Sequence, residues 1–349
     1  MNLYGKRMVL CVVGCLVMGI MAGCGSSNEK TEEGMQLIQS LDYEGALKQF
    51  VEAQNLGENS RLIARGQGIA YMGLTDYEQA VACFQEALAG SSGFLQPVDY
   101  DLNYYMAAAY TKNGQYAEAE KTYDAILALK GKEKDAYFLR GTVRLAQDDY
   151  EGAKADFDRV LSMDPNNYDR LIEIYQVLEY YGYTEVGREY LQRVLDDTNK
   201  QITAYDQGRI FYYMGSYREA ASSLEQARES GNARSYLYLG KAYEAMGDYN
   251  YAANVYNSYL AQSDPDAEIY NQLGSCEMTL QDYQKALEAF QAGMRIENNG
   301  IMQTLSFNEI VAYEYLGEYQ KASVLLNNYL SNYPDDEAAI REQTFLSTR

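Results

Sequence analysis

Carboxylates, tyrosines and cysteines are the side chains of this sequence that could serve a reaction or hold a ligand. The 349 residues include 50 Asp and Glu, 36 Tyr and five Cys, but no His. His is the commonest general base near neutral pH and a frequent zinc ligand, so both roles would need other groups. The sequence contains no nucleophile motif, phosphate-binding loop or cluster with metal-ligand spacing. It therefore predicts no catalytic residue, no metal site and no cofactor.

Charge narrows the class of partner. The formal net charge is −21, from 29 Lys and Arg against 50 Asp and Glu. Such a chain would be repelled by a phosphate backbone, so we expect no nucleic-acid partner. An acidic surface favours a basic protein partner, which it attracts by electrostatic steering more than it holds by affinity.

The N-terminus has the composition of a processing signal. Lys6 and Arg7 give a positive start, and the apolar run from Met8 to Ala22 is shorter than the roughly 20 residues of a spanning helix. Small residues then precede Cys24, and a polar segment follows. This pattern resembles a bacterial lipoprotein signal, which implies cleavage before Cys24 and lipidation of that cysteine.

The resemblance also gives an expected location. The chain would be exported and held by its lipid on the extracytoplasmic face of a bacterial cell membrane. The alternatives are an uncleaved anchor and an ordinary cleaved signal. Cys15 also follows small residues, but cleavage there would leave too short an apolar segment.

The tyrosines occur in a regular pattern along the rest of the chain. One of them, which we call the anchor, recurs every 32 to 39 residues, at Tyr43, Tyr77, Tyr116, Tyr150, Tyr217, Tyr249, Tyr283 and Tyr319, with Thr184 in the gap. Ala stands three residues after all the tyrosine anchors, and Gly187 takes that place after Thr184. A large apolar residue follows seven after every anchor, and Gly often lies nine before. The sequence therefore contains nine copies of one unit.

This unit resembles the tetratricopeptide repeat, whose 34 residues carry a small residue, a Tyr, a turn, then Ala and Phe. The resemblance implies an all-α, right-handed solenoid of nine helix-turn-helix repeats closed by a C-terminal capping helix. The expected boundaries are a signal peptide at 1–23, a tether at 24–30, repeats at 31–334 and a capping helix at 335–349. The fifth repeat, around Thr184, departs most from the pattern.

The spacing has a packing explanation. Small residues nine before and three after the anchor lie where the two helices of a unit cross, so that the backbones can approach. The large residue seven after the anchor fills the adjoining hole, and the anchor packs over the turn. We expect glycines in the turn to adopt positive φ, at Gly114, Gly182, Gly215, Gly247 and Gly317. Much of the tyrosine is thereby structural rather than catalytic.

Three further expectations concern the ends and the exceptions. The capping helix should turn Ala338, Ala339 and Ile340 inward. Cys83 and Cys276, left after removal of the signal, should be buried free thiols because they lie far apart in the repeats. An insertion at 90–98 lengthens one spacing; it could present a docking tip or serve as a flexible connector, and the connector is favoured.

The resemblance also implies where a partner would bind. In this family the first helices of successive repeats line a concave groove, and its exposed positions lie about twelve, eight and five residues before the anchor. The predicted groove residues are Tyr104, Phe138, Tyr205, Arg209, Tyr212, Leu237, Lys241, Glu244 and Asn271, with Tyr213 and Tyr180 close by. Aromatic and cationic side chains of this kind are frequent binding hot spots.

Two functional classes are consistent with these features of the sequence. The first is a membrane-anchored scaffold that holds a segment of a partner protein in its groove. The second is a cell-wall glycan-binding lipoprotein, because surface tyrosines suit stacking against sugars. An enzyme is disfavoured, since the repeats occupy the chain and leave no separate catalytic domain.

Overall fold

The computed structural model describes residues 28–91, 96–199 and 201–349 of the chain. These residues form nineteen α-helices and no β-strand, which confirms the predicted all-α repeat solenoid. They divide into two compact units, the described part of Met1–Tyr190 and Leu191–Arg349. The predicted signal, Cys24 and the first residues of the tether lie outside the described residues, as do Phe94 and Leu95 of the insertion.

The helices follow one another in pairs. The first unit contains α1 (Glu29–Gln39), α2 (Tyr43–Asn55), α3 (Ser60–Gly73), α4 (Tyr77–Ala89), α5 (Pro97–Lys112), α6 (Tyr116–Leu129), α7 (Lys134–Ala146), α8 (Tyr150–Met163) and α9 (Tyr168–Tyr180). Helix α10 (Thr184–Asp196) crosses the boundary between the units. The second unit contains α11 (Ala204–Tyr213), α12 (Tyr217–Glu229), α13 (Ser235–Ala245), α14 (Tyr249–Leu260), α15 (Ala267–Thr279), α16 (Tyr283–Met294), α17 (Met302–Tyr315), α18 (Tyr319–Asn332) and α19 (Glu337–Leu346).

Every anchor is the first residue of the second helix of its pair. The residue just before it often caps that helix. Five aspartates accept a hydrogen bond from the backbone N–H three residues on, namely Asp42, Asp76, Asp149, Asp248 and Asp282. A carboxylate here satisfies an amide that would otherwise lack a partner at the start of the helix. This aspartate is a sequence signal that the spacing analysis did not use.

The turn between the two helices has the same backbone conformation in all nine repeats. The residue two before the anchor has a φ between 61° and 86° in every case. The five glycines predicted to adopt positive φ do so. The other four repeats place Leu41, Thr75, Asp148 and Gln281 in this left-handed conformation, which costs a residue with a side chain roughly 1–2 kcal/mol. The turn geometry is therefore imposed by the packing of the helices even where glycine is missing.

The predicted helix crossing is confirmed by the space around its glycines. Six of them face the large residue seven after the anchor, and a Cβ atom added to any one would lie under 3.0 Å from that side chain. Gly68 faces Phe84, and Gly240 faces Tyr256. Phe84 and Tyr256 are fully buried. The absence of a side chain at these glycines is what admits the ring between the two helices.

Anchor tyrosines connect one repeat to the next. The ring of Tyr150 stacks on Tyr183 with centroids 4.9 Å apart, and that of Tyr283 packs against Tyr315 at 5.0 Å. Both partners belong to the following repeat. Because neither helix pair can bury its apolar face alone, such contacts between neighbours hold the array together.

The fifth repeat forms an ordinary helix pair by exchanging large and small residues at the crossing. Tyr175 stands nine before Thr184, where most repeats have Gly, and its side chain is buried. Gly187 stands where the tyrosine-anchored repeats have Ala, and a Cβ atom there would lie 2.9 Å from Cδ2 of Tyr175. The departure from the pattern is therefore a compensated substitution.

The C-terminal helix α19 buries Ala339 and Leu346 against the last repeat. The prediction that Ile340 turns inward is wrong, because 45% of its surface is exposed. Ile340 follows Ala339 by one position, a rotation of about 100° around the helix, which carries it away from the last repeat.

The two cysteines among the described residues are free thiols. Cys276 is buried, as predicted, whereas Cys83 is half-buried. Burial raises the pKa of Cys83 to about 11 and raises that of Cys276 as well. Both therefore remain protonated near neutral pH.

Candidate functional site

The first helices of successive repeats lie side by side. In the second unit α11 contacts α13, and α13 contacts α15. The first unit repeats this arrangement with α1, α3 and α5, and again with α7 and α9. Side chains that leave these helices on the same side therefore come together from neighbouring repeats. Seven of the nine predicted groove residues belong to α11, α13 and α15.

Four tyrosines from α11 and α13 form a continuous group of rings, here called the tyrosine cluster: Tyr205, Tyr212, Tyr213 and Tyr238. The ring of Tyr238 lies 6.3 Å from Tyr205, 5.7 Å from Tyr212 and 6.1 Å from Tyr213, measured between centroids. Tyr212 and Tyr213 meet edge to face at 5.4 Å. Edge-to-face packing of this kind is a favourable arrangement of aromatic rings.

Two cations border the tyrosine cluster. The guanidinium of Arg209 lies 5.2 Å from the centre of the Tyr205 ring and 5.3 Å from that of Tyr238. The Lys241 ammonium lies 5.6 Å from the Tyr238 ring and forms an ion pair with Glu268 at 2.7 Å. Cations over ring faces are attracted by the negative charge of the π-system.

Arg209 corrects one expectation. It was predicted to be exposed in the groove, but 9% of its surface is accessible. Its position between Tyr205 and Tyr238 removes it from solvent, and Asp206 lies 3.5 Å away. Arg209 therefore orders the rings, while the tyrosines themselves, all half-buried, form the accessible part of the surface.

The hydroxyl of Tyr213 stays neutral near neutral pH. Burial, reinforced by the neighbouring Tyr238, raises the pKa of Tyr213. The hydroxyls of Tyr213 and Tyr238 lie 3.4 Å apart. A neutral hydroxyl can both donate and accept a hydrogen bond. The cluster thus offers ring faces together with adaptable polar groups.

The other predicted residues of the second unit differ in their surroundings. Leu237 is half-buried and packs against neighbouring apolar side chains. Asn271 accepts a hydrogen bond from the Asn308 side chain at 2.8 Å, which links the eighth repeat to the ninth. Its carbonyl oxygen is thereby engaged, while the amide side chain remains half-buried.

Glu244 is bound from within the fold. Its carboxylate accepts a hydrogen bond from the hydroxyl of Tyr256, and the Cys276 thiol lies within hydrogen-bonding reach. Burial raises the pKa of Glu244, although both of these hydrogen bonds act to lower it. Part of the capacity of this carboxylate is therefore occupied by the protein itself.

The two predicted residues of the first unit lie apart from the tyrosine cluster along the sequence and are largely covered. Phe138 is 7% exposed, because Arg170 lies 4.3 Å from the centre of its ring and Phe157 packs against it at 6.1 Å. The prediction that Phe138 is an exposed groove residue is therefore wrong. Tyr104 is half-buried with its ring 6.2 Å from Tyr123, and burial raises its pKa.

Tyr238 and Glu268 are the residues of this site that the sequence analysis missed. The groove position twelve residues before the anchor Tyr249 is Leu237. Tyr238 is the next residue, so a prediction from fixed spacing did not select it. The composition of α13, with Tyr at 236, 238 and 243, was the available signal. Glu268 could have been found as the acidic residue in the first turn of α15, the first helix of the repeat that follows Lys241.

Two further kinds of site, a metal centre and a membrane-spanning helix, are absent from the described residues. Within residues 28–91, 96–199 and 201–349, no group of three or more Cys, Asp or Glu is placed to hold a metal ion. No helix in the same ranges combines the length and the apolar character needed to cross a membrane.

The sequence profile of the tetratricopeptide repeat family matches residues 65–134, 107–168, 205–267 and 239–297. Together these matches cover more than half of the chain, and they include α13, α15 and all of α11 except Ala204.

Curated relatives share the repeats over part of their length. RNA polymerase II-associated protein 3 of Xenopus tropicalis is 25% identical over 198 residues, which is 52% of this chain and 29% of the relative. The protein of the same name from Homo sapiens is 24% identical over 195 residues, with the same shares. The chain thus spans under a third of the length of these relatives.

The chain also matches solved structures, with low identities and with TM-scores below 0.5. A tetratricopeptide repeat protein from Parabacteroides merdae is 16% identical with a TM-score of 0.42, over 80% of this chain and 98% of that one. YrrB, described as a tetratricopeptide repeat protein with an unusual peptide-binding site, is 17% identical with a TM-score of 0.36, over 64% and 97%.

Proposed function

Because the chain belongs to the tetratricopeptide repeat family, a family of protein-interaction scaffolds, we propose that it binds a segment of a partner protein against α11, α13 and α15. We propose further that it does so outside the cytoplasm, anchored to a bacterial membrane by a lipid on Cys24. Binding would need no catalysis by the chain.

The tyrosine cluster is the observation that carries the proposal. Four rings and two cations from neighbouring repeats meet on one side of the second unit. Tyr and Arg are enriched among the residues that dominate binding energy, because they combine a large apolar area with polar ends. Rings already packed on each other lose little conformational freedom when a partner binds.

Charge supports a basic partner segment. The chain carries a formal charge of −21, and the cations beside the cluster have acidic neighbours in Asp206 and Glu268. A basic segment would be drawn to the surface and could replace Lys241 as the partner of Glu268. The rate of association should then fall as salt is added, because added ions screen the attraction.

The N-terminal sequence supports the anchor. A positive start, a short apolar run and small residues before Cys24 are together typical of bacterial lipoproteins. The first described helix begins at Glu29. Cys24 to Asn28 can span at most about 18 Å when extended, so lipidation of Cys24 would hold the first repeat close to the bilayer.

Site-specific photo-crosslinking tests the binding surface. A photoreactive residue replaces Glu268, which is exposed beside Lys241, and in a matched control replaces Glu288, which is exposed on α16. We expect a discrete protein adduct from position 268 and not from 288. The substitution Tyr238→Ala should remove the adduct. Equal capture at the two positions, or capture that survives Tyr238→Ala, would overturn this assignment.

A further inference from the structure

The second helix of the seventh repeat, α14, differs in composition from the other second helices of this chain. Residues 249–263, which include the whole helix, contain no Asp, Glu, Lys or Arg. Each of the other second helices carries at least one charged residue. Helix α12, for example, carries Arg218, Glu219, Glu225, Arg228 and Glu229. In a protein of net charge −21, a whole helix without charge is a distinct neutral surface.

The exposed side of α14 consists of amides, one hydroxyl and one aromatic ring. Asn250, Asn254, Asn257 and Ser258 are exposed, and Tyr251 exposes 42% of its surface. The apolar side chains of the helix, among them Val255, face inward. The outer side therefore presents hydrogen-bonding groups of both kinds around a single accessible ring.

Further tyrosines extend this surface toward α12. The ring of Tyr243, from α13, packs against Tyr251 at 4.3 Å between centroids. Tyr236, also from α13, lies 5.8 Å from Tyr259 and accepts a hydrogen bond from the Gln262 side chain. We call Tyr236, Tyr243, Tyr251 and Tyr259, together with the exposed amides of α14, the outer tyrosine surface.

Charge at the border of the outer tyrosine surface lies at the ends of α14 and beside α12. Arg228 lies 5.9 Å from the centre of the Tyr236 ring and forms an ion pair of 2.5 Å with Glu225. The exposed Asp248, at the start of α14, accepts a hydrogen bond from the N–H of Tyr251. Burial, together with Asp266 and Asp264 just beyond the end of the helix, raises the pKa of Tyr259. An approaching ligand thus meets uncharged rings and amides along the helix, with acidic groups only at its two ends.

We propose that the outer tyrosine surface binds an uncharged oligosaccharide. Aromatic faces suit the C–H faces of sugar rings, and Asn side chains can both donate to and accept from sugar hydroxyl and acetamido groups. A neutral ligand gains nothing from charge and avoids the cost of stripping water from ions. The ligand-facing groups of this site lie on α14, a second helix, with Tyr236 and Tyr243 of α13 packed beside them. None of these residues is among the groups assigned to the partner groove above.

The size of the surface favours a saccharide over a protein. Twelve helical residues extend about 18 Å, and an exposed helix side of that length falls well short of the ~800 Å² that each partner buries in a typical protein interface. A second copy of the chain would in addition bring its own negative charge. A few linked sugar rings fit the length of the helix without either difficulty.

Ligand-observed NMR on the purified full chain tests the site. The probes are chitotetraose, which carries acetamido groups, and cellotetraose, which carries hydroxyls alone. We expect at least one to bind the wild type, and Tyr251→Ala to weaken that binding about tenfold. Tyr315→Ala is the matched control, because Tyr315 is also exposed in the second unit and packs against another tyrosine ring. It should leave binding unchanged.

The contradicting outcomes are separate from those for the partner groove. Absence of binding by both probes, or equal weakening by Tyr251→Ala and Tyr315→Ala, would overturn the saccharide site. Sedimentation velocity gives a third outcome. If the wild type dimerises, Tyr251→Ala makes it monomeric and neither sugar binds, then the surface is an interface between copies. Circular dichroism of each variant shows whether the helices are intact.

Discussion

The hydroxyl of Tyr256, on α14, donates a hydrogen bond to the carboxylate of Glu244, on α13. The ring of Tyr256 is fully buried and passes over Gly240, so that its polar end reaches a carboxylate at a predicted groove position. A core residue on the second helix of the repeat is thereby hydrogen-bonded to a predicted groove residue on the first helix. In the first, second, fourth and eighth repeats a Phe occupies the position of Tyr256, at Phe50, Phe84, Phe157 and Phe290.

Tyr256→Phe should keep the packing and remove this hydrogen bond. Since a hydrogen bond to a charged group contributes about 1.5–3 kcal/mol, we expect the free energy of unfolding to fall by that amount. The Tyr256 hydroxyl lowers the pKa of Glu244, so its removal should raise that pKa and make the loss greater at pH 8 than at pH 5. Urea unfolding at both values measures this.

Tyr123→Phe provides the control for Tyr256→Phe. Tyr123 is buried at the matched position of the third repeat, and its hydroxyl contacts no carboxylate among the described residues. Its removal should therefore have a smaller effect that does not change between pH 5 and pH 8. If both variants lost the same free energy of unfolding, the loss would come from removing a buried hydroxyl in general and not from its hydrogen bond to Glu244.

The exchange at the fifth repeat can be tested by a double-mutant cycle. Gly187→Ala should cost about 1–3 kcal/mol, because its Cβ would lie 2.9 Å from Tyr175. Tyr175→Ala should also destabilise the protein, since it removes a buried ring. The double variant should lose less than the sum, with a coupling of about 0.5–3 kcal/mol, because the new methyl group then has room. Additive losses in urea unfolding would contradict the compensation.

The repeat could be predicted from the sequence because its rules are local and periodic. Gly247 is favoured by a turn of fixed shape, and Gly240 is required by the ring that crosses it. Each preference recurs at a constant distance from the anchor, so nine copies reinforce one another. Ile340 lies beyond the last repeat, where no second copy fixes the register, and its orientation was mispredicted.

The site was harder to predict because it depends on long side chains from other repeats. Phe138 occupies a groove position by spacing, but Arg170, in the following repeat, covers its ring. Arg209 is enclosed in the same way by Tyr205 and Tyr238. Spacing places the Cα atoms of such residues, whereas exposure depends on which neighbouring side chains reach over them.

A buried ion network in the first unit gives a prediction about stability. The Asp156 side chain is 3% exposed and accepts from Arg140 at 2.5 Å and from Arg144 at 2.9 Å. Asp156→Asn should cost about 3–5 kcal/mol, because it leaves two largely covered cations without their shared carboxylate. Asp124→Asn is the matched control: Asp124 also pairs with Arg140, at 2.6 Å, but is 52% exposed. That loss should stay within about 1 kcal/mol in urea unfolding.

The proposed anchor predicts a specific chemical modification. In a bacterial host, the wild type should incorporate an alkyne fatty acid and sediment with membranes, and Cys24→Ser should lose nearly all of both signals. Cys83→Ser should retain them, since Cys83 is a half-buried thiol whose pKa is raised to about 11. Labelling that persists in Cys24→Ser would place the lipid elsewhere and contradict the proposed anchor.

Glu314, on α17, should make the C-terminal cap sensitive to pH. Burial, reinforced by Glu342 on α19, raises the pKa of Glu314 from 4.5 to about 8. The folded protein therefore binds more protons than the unfolded chain between these values, so stability should fall as pH rises from about 4.5 to about 8. At high pH the ionised carboxylate would be partly desolvated and repelled by Glu342.

Glu314→Gln should remove this pH dependence and preserve the shape of the side chain. We expect its melting temperature to exceed that of the wild type by about 2–4 °C at pH 9, with a difference that narrows toward pH 5. Glu318→Gln is the control, because Glu318 is an exposed glutamate in the neighbouring turn. Deprotonation of Glu314 should weaken the contact between α17 and α19, because its carboxylate then repels Glu342. Amide hydrogen exchange in α19 at pH 9, corrected for intrinsic rates, should therefore be faster in the wild type than in the Glu314→Gln variant. A constant difference in melting temperature across this range would mean that Glu314 does not titrate there.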